Sequence, residues 1–489
     1  MHLVLGNRDI NKMRLVAELH PDNWLDAEEH PGVYWRKEAL TDAEGVRRAA
    51  TPATWLAKQP EGSRDDTRAS RLRHMLEDNM GAPRAWELRR RELSSEGAAA
   101  SDEDVLASYE ASIQRGGLMR ELLCQSQLAV LIGSTLFVHG AIHPGAIGVV
   151  PGGAVAPRRP ISVAEWVESL NQFSREQVAE WCAAADSGRG AEWSTDDRWR
   201  RGFFERPGGR LMAYGMARQP DGELSPTVVY ASFLDNGQPL AASEVCVCAP
   251  LPFYLSSLLS SLLSPRPLLY LSQGVVDYLC HGGVRALVTG HQPHGDAPVL
   301  MRCEGAAGGT LTVVTADTSF SDDVRWTELP TADWPTSPPP SPPSSPRSGR
   351  QSRGQPPTPS AMPRGKVVCE VLFEETVAAG AAAEAGAWSG RGVDASRPAA
   401  TAEGPSLRVH GVLSNGERLD YKYECGGSAA SGDCATPDSA GSADRLGTLR
   451  DDGWWVKGRV GEGKLLLCRG SGYDVENCIV DSTTYSRCP

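Results

Sequence analysis

The chain has 489 residues, 40% of them hydrophobic and 22% charged, and this length and balance point to a globular protein of two or three folding units. A formal charge of -12 argues against a general nucleic-acid binder or a ligand of acidic membranes, and no apolar run uninterrupted by proline is long enough to span a bilayer. Twelve cysteines are scattered without a CxxC pair, which reads as reduced thiols in an intracellular, cytoplasmic setting; an organelle-targeting segment upstream stays open.

The first nine residues, MHLVLGNRD, read as a buried strand that stops at a glycine and delivers three polar side chains together, Asn7, Arg8 and Asp9. Ile10 to Ala17 then continues as a helix. Residues 20 to about 125 are mostly helical and polar. They include two helices over Arg71 to Leu93 broken at Gly81-Ala82-Pro83, a helix start at Ser101-Asp102-Glu103-Asp104, and a helix over Met119 to Val130. Arg89-Arg90-Arg91 reads as a solvated helix face. TLFVHG, residues 135 to 140, repeats the strand-end pattern with His139, and Ser162 to Cys182 is an amphipathic helix with Val163, Trp166, Val167, Leu170 and Phe173 on one stripe. Val228 to Leu234 reads as a strand, Leu251 to Leu271 as a surface insert, and Val275 to Cys280 as a helix feeding ALVTGH, residues 286 to 291. TVVTAD, residues 312 to 317, closes the series of strands that end in Asn, His or Asp.

Residues 330 to 363 contain 12 prolines among 34 positions, with Ser, Thr and Arg between them, so this stretch is an extended linker and a boundary. Its PxxP and Ser-Pro spacings suit SH3- or WW-type docking or a kinase. Beyond it, Lys366 to Thr376, Leu407 to Glu424 and Trp454 to Asp481 read as strands, with an Asn415-Gly416 hairpin. Gly458 to Lys464 has the spacing of a phosphate-binding loop, but Leu465 stands where Ser or Thr is needed and strands flank it, so that reading is rejected.

An amide oxygen from Asn7 with imidazoles from His139 and His291 makes a mixed O/N set suited to manganese, iron or zinc. His294 is a further candidate ligand, Asp296 an equal alternative, and His143 reads as an ordinary loop residue.

With these residues in view, GNRD at 6 to 9, FVHG at 137 to 140 and VTGH at 288 to 291 resemble, in order and spacing, three blocks of the calcineurin-like metallophosphoesterases. LVLGNRDINKMRL, NMGAPRAWELRRREL, GHQPHGDAP and TADTSFSD resemble a branch of that family found in algae and protists. The resemblance implies an α/β fold, a four-layer α/β/β/α sandwich that is N-terminally incomplete, with a helical insert and a small C-terminal antiparallel β module. It divides the chain into a phosphoesterase domain over 1 to 329, a linker over 330 to 365 and the β module over 366 to 489. It further implies two divalent metals, phosphate-ester hydrolysis by a metal-bound hydroxide, and a substrate that is a phosphoprotein, a nucleotide or a small ester. Asn7, His139, His291 and His294 would be metal ligands, with Arg8 and Asp9 the catalytic candidates. Arg8 stands where the family commonly has a His; a guanidinium stays charged and clamps phosphate oxygens rather than donating a proton. The Asp-x-His and GDxxDR blocks are absent from the sequence, so one metal's ligands are present and the chain is expected to turn over slowly. The alternative is a non-catalytic scaffold or binding protein on a degenerate version of the same fold.

Overall fold

In a computed structural model, residues 1–30, 32–33, 51–82, 84–94, 99–151, 162–187, 206–217, 225–235, 238–239, 273–295, 297–305, 309–318, 368–374, 406–413, 417–424, 446–447, 449–450, 452–461, 463–471, 474–482 and 488 are described. The Pro-rich linker, the insert at Leu251 to Leu271 and Asp296 lie outside them.

The chain opens on α1 (Asn7–Ile10), which continues through a 3₁₀ turn (Asn11–Met13) into α2 (Arg14–Glu18). The helical block follows as α3 (Pro52–Leu56), α4 (Arg68–His74) with a π turn (Met75–Asn79), α5 (Ala85–Ser94), α6 (Asp102–Ile113) and α7 (Leu118–Gln125). The expected start of α6 is present: the Ser101 hydroxyl accepts from Asp104 N–H at 3.2 Å and the Asp104 carboxylate accepts from Ser101 N–H at 2.8 Å. The helix expected over Met119 to Val130 ends earlier, at Gln125. Ala129–Ile132 is instead strand β1, turned back at Gly133 (φ 56°) into β2 (Thr135–Val138), because the left-handed residue closes a two-residue hairpin.

The long α8 (Val163–Ser187) and α9 (Gly209–Gly215) precede a two-residue pair, β3 (Leu234–Asp235) and β4 (Gln238–Pro239); α10 (Gln273–His281), β5 (Ala286–Thr289), β6 (Val299–Glu304) and β7 (Thr310–Thr315) follow. The strand expected over Val228 to Leu234 does not form. Thr227 Oγ1 accepts from Val229 and Tyr230 N–H, and Ser232 Oγ accepts from Leu234 N–H, so hydroxyls take the amides that a ladder needs.

Among the described residues, β1, β2, β5, β7 and β6 form one mixed sheet in that order. β2, β5 and β7 are parallel, and β1 and β6 are antiparallel edges. Alternation along each strand sorts its side chains between two faces. Leu136, Val138, Leu287, Leu311 and Val313 join the core shared with α8 and α10, while Ala286, Val288, Leu300 and Val314 belong to a second core.

That second core is filled from a six-stranded antiparallel sheet ordered β13-β12-β11-β10-β9-β8, comprising β8 (Val368–Glu374), β9 (Ser406–Val412), β10 (Arg418–Glu424), β11 (Trp455–Val460), β12 (Lys464–Ser471) and β13 (Asp474–Asp481). Leu407, Val409, Leu419, Tyr421, Val460, Leu466 and Cys468 meet the first sheet there, and Phe373 meets Phe137 edge-on at 5.9 Å. The strands read from sequence as a C-terminal module thus cover one face of the first sheet, and the helices cover the other. Lys464 opens a strand, as the rejection of a phosphate-binding loop requires. One thiol expectation is corrected: Cys478 on β13 and Cys488 are disulfide-bonded, their Cα atoms 6.0 Å apart, within the range a disulfide spans.

Candidate functional site

Leu3 to Leu5 does not form the expected strand. It makes a single parallel bridge, Val4 to Gln127, in which Leu5 N–H donates to the Gln127 carbonyl and Gln127 N–H to the Leu3 carbonyl, each at 2.8 Å. Leu5 is fully buried and anchors this segment. The chain then enters α1 directly, with Gly6 as its N-cap, so Asn7, Arg8 and Asp9 are the first three residues of a helix rather than a loop. Asp9 closes the cap, its carboxylate accepting from Gly6 N–H at 2.9 Å.

His139 follows β2. The parallel register pairs Phe137 with Val288 and Val288 with Val314, so continuing it sets His139 level with Gly290 and Ala316, and Gly140 level with His291 and Asp317. Gly290 N–H donates to the His139 carbonyl at 2.8 Å and Ala316 N–H to the Thr289 carbonyl at 2.7 Å, extending the ladder past the strand ends. One sheet edge therefore carries His139, His291 and Asp317, and α1 delivers Asn7 to it.

The geometry is close. Asn7 Oδ1 lies 3.1 Å from His139 Nε2, and His291 Nδ1 lies 3.3 Å from the same nitrogen. The two imidazoles meet edge-on with centroids 5.3 Å apart, and Tyr230 packs on His291 at 5.0 Å. His291 has a φ of 75°, a left-handed conformation that costs a non-glycine residue about 1–3 kcal/mol and is kept only where its surroundings impose it. Burial, opposed by Asp9 and aided by Arg8, holds the His139 imidazole below its usual pKa, so its lone pair is available near neutrality.

Gly6 makes room for this ring: a Cβ there would sit 2.8 Å from His139 Cε1. Gly81 does the same for Arg8, whose guanidinium would lie 3.1 Å from a Cβ at that position. Lys12, one turn beyond Arg8, donates to the Arg8 carbonyl at 2.9 Å, and burial lowers its pKa. Asp317, beside Arg8, has its carboxyl pushed up by burial and pulled back by that guanidinium. Two cations and two carboxylates thus surround the Asn7–His139–His291 set.

His294 is brought to the second sheet instead. It is 1% exposed, Nε2 lies 3.2 Å from the Gly470 carbonyl oxygen, and burial with nearby Lys457 drives its pKa down to about 3. His143 Nδ1 accepts from Gly145 N–H, consistent with a loop role. Two residues of the site, Lys12 and Tyr230, were not singled out from sequence, whereas Asp317 is the polar end expected of the strand over residues 312 to 317. Lys12 lies four residues beyond Arg8 on one helix face. Tyr230 carries no sequence signal, since its position follows from the bends at Thr227 and Ser232.

Among the described residues no three His, Cys, Asp or Glu side chains form a metal-binding group by themselves; the convergent set is two imidazoles and an amide. These donors fit a metal ion. Ligands about 2.1 Å from one ion lie about 3.0 Å apart at right angles and about 3.4 Å apart at tetrahedral angles, which brackets the 3.1 and 3.3 Å separations. An imidazole nitrogen has one in-plane position, either a proton or a lone pair, so His139 Nε2 cannot make two full hydrogen bonds to Asn7 and His291 at once. Comparison with family models, curated proteins and solved structures finds no match.

Proposed function

We propose that this chain is a metal-dependent phosphoesterase of the calcineurin-like class, built on an α/β/β/α sandwich and carrying the donor set of one metal. The observation that carries the reading is the convergence of Asn7 Oδ1, His139 Nε2 and His291 Nδ1 at one sheet edge. Three strand ends and a helix N-terminus supply this edge, as expected for a site in an open parallel sheet.

In this reading Asn7, His139 and His291 hold a divalent ion, manganese, iron or zinc. A bound ion would supply Lewis-acid polarisation of a phosphoryl oxygen and lower the pKa of water. The remaining work is done by the protein. Arg8, set over Gly81, presents a planar fork of donors to phosphate oxygens, and Lys12 adds charge behind it. Asp9 is engaged with Gly6 N–H, so it steadies α1 and offsets the two cations rather than acting as a free base. Tyr230 is 43% exposed and walls His291 on the side open to solvent, where the ester's organic group would lie.

The substrate is a phosphate ester, whether of a phosphoprotein, a nucleotide or a small molecule. With one donor set, manganese binds weakly and turnover is slow. The test is calorimetric titration of the full chain with Mn²⁺, alongside hydrolysis of an aryl phosphate. We expect weak binding that disappears in His139→Ala and His291→Ala. Binding equal in the wild type and both variants would overturn the metal assignment, and rapid turnover by the wild type would overturn the half-site reading in favour of a complete one.

A further inference from the structure

α7 and α8 pack side by side at the base of the β1–β2 hairpin, and each contributes one cysteine to the seam. Cys124 Sγ and Cys182 Sγ are 3.7 Å apart, in contact and unbonded. The seam is held by charge: Arg120 on α7 donates twice to the Asp186 carboxylate on α8, both at 2.8 Å, and Arg115 adds a third bond at 3.1 Å. These ion pairs tie the two helices together beside the thiols, and bond formation needs the sulfurs to come about 1.6 Å closer, to the roughly 2.05 Å of a disulfide. The other free cysteines among the described residues, Cys280, Cys303 and Cys468, are all buried, whereas Cys124 is exposed and Cys182 partly so.

We propose that Cys124 and Cys182 form a reversible disulfide when the protein meets a hydroperoxide, making the α7–α8 seam a redox modification site. Cys124 is the thiol that solvent reaches. Its thiolate attacks the peroxide oxygen, the O–O bond breaks, and the departing oxygen takes a proton and leaves as water or an alcohol. The resulting Cys124 sulfenic acid is met by Cys182, whose sulfur displaces the hydroxyl. That group leaves as water with the Cys182 proton. The two thiols lose two electrons and the peroxide gains them, and a dithiol reductant reverses the bond by exchange. Burial and the Cys124 thiol push the Cys182 thiol up to about 11, which suits it to the resolving role rather than first attack.

The bond would close a loop that contains β1, β2 and His139. Its α8 end is already tied to the first helices, since Trp181 Nε1 donates to the Met13 carbonyl at 2.9 Å. Asn171 on α8 also holds β1, accepting from Leu128 and Ala129 N–H and donating to the Ala129 carbonyl. Oxidation therefore braces the frame beneath the sheet edge, whatever chemistry that edge performs.

The test treats the full chain with stoichiometric hydrogen peroxide, blocks remaining thiols by alkylation, and maps peptides by mass spectrometry. We expect a cross-linked peptide joining Cys124 to Cys182, two hydrogens lighter than the reduced pair, that is lost on dithiothreitol treatment and absent from Cys124→Ser and Cys182→Ser. The oxidised wild type unfolds a few degrees higher than the reduced form, and neither serine variant shows the rise. Absence of the cross-link would overturn the proposal, as would a cross-link from Cys124 to another cysteine that persists in Cys182→Ser. An unchanged unfolding temperature in fully cross-linked protein would overturn the bracing role.

Discussion

Substituting Gly6→Ala tests the placement of His139 with almost no other disturbance. Gly6 sits at φ -96°, ψ 167°, extended backbone that alanine adopts freely, so strain in the main chain does not enter. The new methyl would lie 2.8, 2.9 and 3.1 Å from Cε1, Nδ1 and Nε2 of His139. Ordinary contact is about 3.5 Å, so the ring must retreat by roughly 0.5–0.7 Å, and overpacking of this kind costs about 1–3 kcal/mol. Alanine is also a poorer N-cap than glycine, by up to about 1 kcal/mol. Urea unfolding of four proteins separates the two: wild type, Gly6→Ala, His139→Ala and the double variant. In the His139→Ala background only the cap penalty remains, which predicts a coupling equal to the overpacking cost, about 1–3 kcal/mol. Metal sites tolerate about 0.2 Å of ligand displacement, so Mn²⁺ affinity should fall at least about tenfold in Gly6→Ala. Equal unfolding costs in both backgrounds, with unchanged Mn²⁺ affinity, would refute the geometry.

The remaining predictions concern neighbours of the site. Burial, then Lys457, holds folded His294 down at about 3, below its unfolded value of about 6.5, so the unfolded chain takes up the proton first. Stability contributed by neutral His294 is therefore intact above about pH 6.5 and is lost as pH falls towards 3, by about 2 kcal/mol at pH 5; urea unfolding at pH 7 and 5 should show a drop that His294→Asn reduces. His291 pays for its positive φ, so His291→Gly should be about 1 kcal/mol more stable than His291→Ala in the same assay. Gly81→Ala combines a φ of 61° with a Cβ 3.1 Å from the Arg8 guanidinium. It should destabilise by about 1 kcal/mol and weaken inorganic phosphate binding severalfold in calorimetry, in the direction of Arg8→Ala.

What could be read in the sequence follows a physical division. Buried parallel strands are continuous apolar runs, so β2, β5 and β7 and their polar ends stand out along the chain. The polar strand ends His139 and His291 were legible from that grammar; Asn7 was reached through a strand that does not form, and the order β2-β5-β7, which also brings in Asp317, is a long-range pairing that no local pattern records. The segment Leu3 to Leu5 has strand composition but finds only Gln127 to bridge, so it stays extended without a ladder. Thr227 and Ser232 spoiled a strand through hydroxyl bonds that composition does not weigh. His294 looked like a ligand because it shares a loop with His291, yet its ring is claimed by Gly470 on β12, far along the chain. The Cys478–Cys488 bond and the Cys124–Cys182 contact likewise depend on distances that spacing does not give.

The two-sheet core also sets an order of events during synthesis. Ala286, Val288, Leu300 and Val314 need β9 to β12 to keep water from them, and those strands are made after the long stretch that follows β7. At translation rates of about 5–20 residues per second, the sheet face waits on the order of 10 s for its cover. Over that interval the nascent chain presents an apolar strand surface with a usable edge, the condition that recruits chaperones or drives misassembly. The yield of folded protein should therefore depend on elongation rate and chaperone supply more than on the stability of the finished fold.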